Sequence, residues 1–139
     1  MSARTKARKR ALDILYAADV RQTTIPESLA REAERAVSEP DRMVSWLYAR
    51  EIVDGVVDNN VEIDELIETY SQGWTLARMP TIDRAILRIG IWEILYNDAV
   101  PVAVAIDEAV ESAKVLSTDD SAGFVNGLLG KIAQTAPSA

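Results

Sequence analysis

The chain has 139 residues, of which 48% are hydrophobic and 27% are charged, and it contains neither cysteine nor histidine. Their absence excludes disulfide bridges, zinc sites built from thiolate and imidazole, thiol nucleophiles and imidazole-based proton transfer. Composition therefore disfavours enzymatic catalysis, and we predict no catalytic residue, no metal site and no other cofactor.

The net charge of −7 is unevenly distributed along the chain. The first ten residues hold five basic and no acidic side chains, which leaves 10 basic against 22 acidic side chains, or −12, in the remainder. An acidic body repels polyanions, so a nucleic acid must bind at the amino terminus and at small local sites. The same body suits a basic protein partner.

No apolar run approaches the 18 residues of a membrane helix, and the basic amino terminus leads into an amphipathic segment without an apolar signal core. We therefore expect no membrane association and no export. The lack of cysteine agrees with a cytoplasmic protein. The length fits one domain or two small packed subdomains.

The first predicted helix runs from Thr5 to about Ala18. Its basic side chains form ridges beside the core-facing stripe, with Arg4 and Arg8 on one ridge and Lys6 and Arg10 on another. This cationic surface is either a solvated face or a binding surface. Tyr16 lies off the centre of the stripe, at the core edge or in a contact site. The apolar stripe has helical spacing and consists of Ala7, Ala11, Ile14, Leu15 and Ala18.

The next segments predict a peripheral helix over 26–37 and one long or kinked helix over 41–70. The peripheral helix follows a break at 23–26 and has a thin apolar line of Leu29, Ala33 and Val37. The long helix has a seam at Ile52, Val56, Asn59, Ile63, Leu66 and Tyr70, with weak points at Gly55 and 58–60. A domain boundary follows, so we predict subdomains 1–75 and 76–135 and a frayed tail, 136–139.

The segment 80–96 is apolar around nearly its whole circumference, which predicts the buried central helix of an all-α domain. Its two arginines, Arg84 and Arg88, share one ridge and make either internal ion pairs or ligand contacts. After Pro101 another helical stripe lies opposite an acidic face of Asp107, Glu108 and Glu111. That face is a candidate partner for the two arginines or for a basic protein. The residues of the stripe are Val102, Ile106, Ala109, Val110, Ala113 and Leu116.

The last predicted helix runs from about Asp120 to Gln134, after the capping residues of 117–121. Phe124 is either a core residue or a partly exposed stacking surface. Asp119 and Asp120 fit helix caps better than a metal site or an acid–base pair. The other predicted core residues are Val125, Leu128, Leu129 and Ile132, and we expect Gly123, Gly127 and Gly130 to leave grooves for another backbone.

Four segments, ARKRALDILYAADV, RAILRIGIWEIL, VPVAVAIDEAVESAK and STDDSAGFVNGLLGKI, together resemble the NusB family of transcription antitermination factors. The similarity runs from about Arg4 to Ile132 and is weakest between Arg21 and Ser45. It implies an all-α fold of two small helical bundles packed as one compact unit, without enzymatic activity. It also implies binding to the boxA segment of ribosomal RNA leader transcripts together with NusE, a small-subunit ribosomal protein, in a complex on RNA polymerase.

The resemblance also assigns roles to single residues. Arg4, Lys6 and Arg8 match basic family positions, Thr5 replaces a common arginine, and Tyr16 matches a position on the protein-partner side. A second RNA-proximal region matches Asp120, Ser121 and Phe124, and Gly123 stands where some members carry a larger polar or basic residue. With the charge and capping arguments, the predicted RNA-binding residues are Arg4, Lys6, Arg8, Lys9, Arg10, Thr118, Asp120, Ser121 and Phe124, and the predicted partner-binding residues are Tyr16, Glu108 and Glu111.

Two other interpretations stay open. One treats the chain as a detached version of the NusB-like domain that precedes some ribosomal RNA cytosine methyltransferases, with only a docking role. It is alternatively a structural helical module that forms a homodimer, as some family members do, covering the basic helix. Light scattering of the isolated protein distinguishes this homodimer from a monomer.

Overall fold

The computed structural model describes residues 2–21 and 24–135, and within these ranges the regular structure is helical, without a strand. The all-α prediction is confirmed. The predicted break at 23–26 begins outside the described residues, and the tail 136–139 lies wholly outside them. The α-helices are α1 Ala3–Arg21, α2 Ile25–Ser38, α3 Met43–Asp58, α4 Asn60–Tyr70, α5 Thr81–Tyr96, α6 Val102–Leu116 and α7 Asp119–Ala133, with short 3₁₀ helices at Pro40–Arg42 and Leu76–Arg78.

The packing divides the chain into two units, Met1–Asp54 and Gly55–Ala139. The first unit contains α1, α2 and most of α3, and the second contains the end of α3 and the helices α4 to α7. This division falls inside α3, while the sequence places its boundary after residue 75. The predicted subdomains 1–75 and 76–135 stay a prediction.

Helix α1 of the first unit begins at a local cap, because the Ser2 hydroxyl accepts a hydrogen bond from the Thr5 N–H at 3.1 Å. The predicted apolar stripe is buried except at Ala18, which is half-buried, and Leu12 is buried in addition. Helix α1 packs on α2. The buried side of α1 is therefore wider than the predicted stripe.

Helix α2 has a different orientation from the predicted one. Its buried residues are Ser28 and Ala36, whereas Leu29 and Ala33 are half-buried and Val37 is exposed. The predicted apolar line is wrong at Val37, which lies next to the helix end at Ser38. Helix α2 packs against α1, and the small side chains of Ser28 and Ala36 suit a close approach of helix axes better than the larger Val37.

The predicted long helix is interrupted at Asn59, one of its predicted weak points. The Asn59 side-chain amide donates to the Gly55 carbonyl oxygen at 2.9 Å, and the Asn59 backbone N–H donates to the same oxygen at 3.1 Å. Gly55 is required by packing, because a Cβ at this position would overlap the indole of Trp92. Beyond the break, Ile63 and Ile67 are the buried residues of α4.

Helix α5 is the buried centre of the second unit, as predicted, and it packs against α4, α6 and α7. Arg88 forms a two-point ion pair with Asp64 of α4, with Nε–Oδ1 at 2.9 Å and Nη2–Oδ2 at 3.2 Å. Arg84 donates to the Leu76 carbonyl at 3.2 Å and to the Thr81 hydroxyl at 3.1 Å. The internal ion-pair alternative is thus confirmed for Arg88.

The structures of α6 and α7 each differ from a prediction made from the sequence. In α6 the buried residues are Ala105, Ala109 and Ala113, whereas the predicted stripe ends at Val102 and Leu116 are exposed. In α7 the predicted grooves do not receive a backbone from the part of the chain that the structure describes, because a Cβ at any of the three glycines would meet no atom of another element there within 4 Å. The close approach occurs at Gly90 of α5, where a Cβ would lie 2.8 Å from Leu129 Cδ1. The predicted glycines of α7 are Gly123, Gly127 and Gly130.

None of the helices described in 2–21 and 24–135 is both long enough and apolar enough to cross a membrane.

Candidate nucleic-acid interface

The basic residues of α1 differ sharply in their exposure. Arg4, Lys6 and Lys9 are exposed, Arg10 is half-buried, and Arg8 is only 7% exposed. Three cations of the predicted set therefore face solvent on one helix, and Arg8 does not join them there. The solvent-facing ridge predicted for Arg8 is wrong.

The burial of Arg8 follows from the helical positions of two leucines. Leu12 and Leu15 lie four and seven residues after Arg8, so the three side chains share one face of α1. Both leucines are buried in the first unit. The predicted stripe omits Leu12, and for that reason it places Arg8 on the solvent side.

Arg4 makes an additional contact at the start of α1. Its guanidinium carbon lies 5.4 Å from the centroid of the Tyr48 ring of α3, which is within the range of a cation–π interaction. Such contacts contribute about 0.5–1 kcal/mol at exposed sites. Tyr48 therefore restrains an arginine that remains accessible to a ligand.

Arg10 is less accessible than its lysine neighbours. Its Nε atom is buried and, within the described part of the chain, has no hydrogen-bond partner. The pKa of Arg10 is lowered from its ordinary value, first by burial and then by the positive charge of Arg42, while Glu32 acts in the opposite direction. Arginine nevertheless stays protonated at neutral pH, so Arg10 adds positive charge without presenting all its donors.

The second predicted set lies at the start of α7 in the second unit. The Thr118 hydroxyl oxygen caps the helix by accepting from the Ser121 N–H at 3.0 Å. The Ser121 hydroxyl donates to Asp83 Oδ2 at 2.7 Å and also lies 3.0 Å from the Ser117 hydroxyl. Ser121 is therefore engaged inside the protein, whereas Thr118 and Asp120 are exposed.

Asp83 is a site residue that the sequence analysis missed. It is buried in the first turn of α5, and its second carboxylate oxygen, Oδ1, has no hydrogen-bond partner among the described residues. The sequence analysis treated Asp83 as a favourable charge near the helix start. Its contact with Ser121 is formed by residues 38 positions apart, and helical periodicity contains no signal for such a pair.

Phe124 is half-buried, so the alternative of a partly exposed ring holds and the fully buried one does not. Its ring packs against the indole of Trp74, with centroids 5.8 Å apart and ring planes inclined by 33°. Trp74 is 52% exposed and was not predicted as a site residue. A signal was present in the sequence, since a lone tryptophan follows Ser71-Gln72-Gly73 in a loop.

The predicted partner residues occupy separate places. Tyr16 is exposed and lines a groove of about 810 Å³ in the first unit, together with Val20 of α1 and Ser28 and Glu32 of α2. Asp13 also lines this groove, and its pKa is raised, first by partial loss of water around the carboxyl and then by the charge of Glu32.

In the second unit, Glu111 of α6 is exposed and Glu108 is half-buried.

The RNA-binding residues predicted from the sequence are divided between the two units. The basic residues of α1 belong to the first unit, and the residues at the start of α7 belong to the second. Within 2–21 and 24–135, no three acidic side chains are grouped so that they could hold a metal ion.

The all-α fold agrees with a family comparison. A family model described as the NusB family matches residues 5–134. The chain belongs to the NusB family. The predicted family resemblance is thereby confirmed.

Individual members of the NusB family extend the comparison over nearly the whole chain. The transcription antitermination protein NusB of Leifsonia xyli subsp. xyli (strain CTCB07) is 75% identical over 137 residues, which cover 99% of this chain and 95% of that protein. T. maritima NusB is 30% identical in its solved structure, with a TM-score of 0.85 and coverage of 97% of this chain and 93% of that one.

A further NusB-family structure contains additional molecules. A crystal structure of the antitermination factors NusB and NusE in complex with dsRNA includes a chain that is 26% identical, with a TM-score of 0.80. The match covers 97% of this chain and 98% of that chain.

Proposed function

We propose that this NusB-family protein is a non-catalytic transcription antitermination factor that binds RNA through the exposed basic side chains of α1. The observation that carries the proposal is the exposure of Arg4, Lys6 and Lys9 on one helix of an otherwise acidic chain. Its relatives are named transcription antitermination proteins, and one solved relative is in complex with NusE and dsRNA.

The proposed RNA is the boxA segment of ribosomal RNA leader transcripts, bound together with NusE in the cytoplasm within a complex on RNA polymerase. Phosphate neutralisation supplies the sequence-independent part of the affinity, and three exposed cations predict a slope of log K against log salt of roughly −2 for a single strand. Because three phosphate contacts give weak binding, the protein partner must add contacts.

The residues at the start of α7 are proposed to contact RNA bases. Asp120 is exposed and offers its carboxylate to base edges, and Phe124 offers part of its ring. Thr118 is also exposed, but its hydroxyl accepts from the Ser121 N–H and donates to Ser121 Oγ at 3.1 Å, so it offers a base edge only a remaining acceptor position. Ser121 keeps the helix start in place through Asp83. Its proposed contribution is therefore to position Thr118 and not to bind the RNA itself.

We propose that the groove beside Tyr16 accepts NusE. An exposed tyrosine next to apolar and charged side chains suits a protein contact, because its ring provides area and its hydroxyl provides a hydrogen bond. Glu111 of α6, with Glu108, adds an acidic surface for a basic partner.

A homodimer that covers α1 is the alternative assembly. Light scattering with and without boxA RNA tests it: a dimer that dissociates on adding RNA supports occlusion of α1, and a monomer throughout excludes it.

The RNA proposal is tested with the double variant Lys6→Gln/Lys9→Gln in fluorescence anisotropy titrations with boxA RNA and a scrambled RNA, with and without NusE. Because the two lysines are exposed, the helical circular dichroism should be unchanged. The salt slope should become shallower by roughly 1.4, and the affinity for boxA should fall.

The matched control is Arg50→Gln/Lys131→Gln, which removes the same charge from exposed positions on α3 and α7. It should leave the salt slope close to that of the unchanged protein. If both double variants bind boxA RNA with the same affinity and slope as the unchanged protein, the exposed lysines of α1 are not an RNA site.

A further inference from the structure

We propose that Trp74, supported by Phe124, is the stacking surface for one unpaired RNA base. This inference rests on the proposed function, because it takes single-stranded RNA as the ligand. It adds a contact residue from a loop outside the basic helix.

The Trp74 ring is supported by Phe124 and is also partly exposed. The centroid separation of the two rings, 5.8 Å, is within the range of favourable aromatic pairs, so Phe124 holds the indole in place. Trp74 nevertheless remains 52% exposed. About half of the Trp74 surface is therefore accessible to a ligand, although burying an aromatic ring is favourable.

The loop that carries Trp74 is fixed on both sides. Gln72 and Gly73 both have positive φ, 54° and 95°, and turn the chain directly after α4. The buried Ser71 hydroxyl lies in hydrogen-bond contact with the Glu68 and Trp74 carbonyl oxygens, and Arg84 donates to the Leu76 carbonyl beyond it. An indole held in this way loses little conformational entropy on binding.

The charges around the ring pair favour a base over a phosphate. Asp120 lies one helical turn before Phe124 on the same face of α7, and Asp119 and Asp120 are both exposed. Two carboxylates repel a phosphate, whereas the face of a base is uncharged and its exocyclic amino group can donate to Asp120. A base stacked on Trp74 therefore avoids the repulsion that a backbone contact would meet.

The tryptophan fluorescence of the unchanged protein reports on this contact directly. The chain has three tryptophans, and Trp46 and Trp92 are only 6% and 5% exposed. Stacking of a base should quench the emission of Trp74 during a titration with single-stranded boxA RNA. The same RNA annealed to its complement should quench little, because its bases are already stacked.

Two variants separate stacking from phosphate binding. Trp74→Ala should weaken binding of boxA RNA roughly five- to 100-fold, with the salt slope unchanged, because a lost stack removes no phosphate contact. Trp74→Phe should keep most of the affinity but lose the quenching. Tyr96→Ala is the matched control, because Tyr96 is 42% exposed and lies at the other end of α5 from the Leu76–Arg84 contact.

The outcomes distinguish this inference from the proposed function. If boxA RNA binds with the expected salt slope but neither quenches Trp74 nor responds to Trp74→Ala, the inference is overturned and the proposed function stands. If Trp74→Ala weakens NusE binding without RNA and leaves RNA affinity intact, the ring pair is a protein contact, and the inference is again overturned. If the protein with NusE binds no RNA at all, both fall.

Discussion

Arg8 and Lys9 are adjacent basic residues in α1 with opposite surroundings. Arg8 is buried beside Leu12 and Leu15, and Lys9 is exposed. A buried guanidinium is held by interactions inside the protein, because the cost of removing its water must be offset there. We therefore assign Arg8 chiefly to the stability of α1 and the exposed cations to RNA.

This assignment predicts different effects for the same charge reversal. Arg8→Glu should lower the free energy of unfolding by about 3 kcal/mol or more, because it places an anion where the protein is arranged around a buried cation. Lys9→Glu should change it by less than about 0.5 kcal/mol. Urea unfolding followed by circular dichroism measures both, and equal midpoints for the two variants would contradict the burial of Arg8.

Ser121 and Asp83 form a comparable case at the start of α7. The 2.7 Å hydrogen bond between them uses the hydroxyl proton of a residue that the family resemblance places near RNA. A role in RNA binding is then indirect, through the position of the α7 cap. Trp74 is the opposite case. It was not among the predicted RNA-binding residues, yet it is exposed and packs against Phe124, which was.

At the scale of helices, the glycines of this chain fall into two kinds, those that packing requires and those that it does not. Gly55 in α3 and Gly90 in α5 are places where a neighbouring side chain fills the space of a Cβ, from Trp92 and Leu129 respectively. Gly127 in α7 faces open space. Its absent side chain therefore serves no packing contact in the described part of the chain, and it weakens the helix.

Two glycine-to-alanine substitutions should therefore change the free energy of unfolding in opposite directions. Gly127→Ala should raise the free energy of unfolding by roughly 1 kcal/mol through helix propensity. Gly55→Ala should lower it by about 1–3 kcal/mol, because the new methyl group overlaps a buried indole that has little room to move. Thermal and urea unfolding measure the two effects, and a stabilising Gly55→Ala would refute the close contact with Trp92.

The whole chain combines a basic first helix with an acidic remainder. After residue 10 the chain has 10 basic and 22 acidic side chains, and the resulting net charge of −12 repels RNA. The cations of α1 attract RNA over a short range. Mobile ions screen such interactions beyond about 10 Å at 0.1 M salt. RNA capture by the isolated chain should therefore be weak and strongly dependent on ionic strength.

This charge distribution predicts the effect of NusE. Adding NusE should increase the affinity for boxA RNA at least about tenfold, and the increase should shrink as salt rises, because a basic partner offsets a repulsion that salt also screens. Titrations at 50 and 200 mM NaCl, with scrambled RNA as control, measure it. A NusE effect that is absent, or equal for both RNAs, would argue against joint recognition of boxA.

Local sequence patterns determined much of this protein. Helical spacing placed α1 and α5, the run 80–96 identified the buried helix, and Asn59 interrupted the long helix where turn-forming residues weaken it. These features depend on residues within one or two helical turns of each other, so periodicity contains them. The family resemblance likewise followed from four local segments.

Only the tertiary structure decided which side of each helix is buried at its margins. Neighbouring helices decide that the Leu12 side of α1, which includes Arg8, is buried and that Ser28 of α2 lies inward. The contacts of Ser121 with Asp83 and of Phe124 with Trp74 join residues 38 and 50 positions apart. A periodic pattern records the face that a helix presents on average, whereas the packing of its neighbours fixes the individual contacts at the edge of that face.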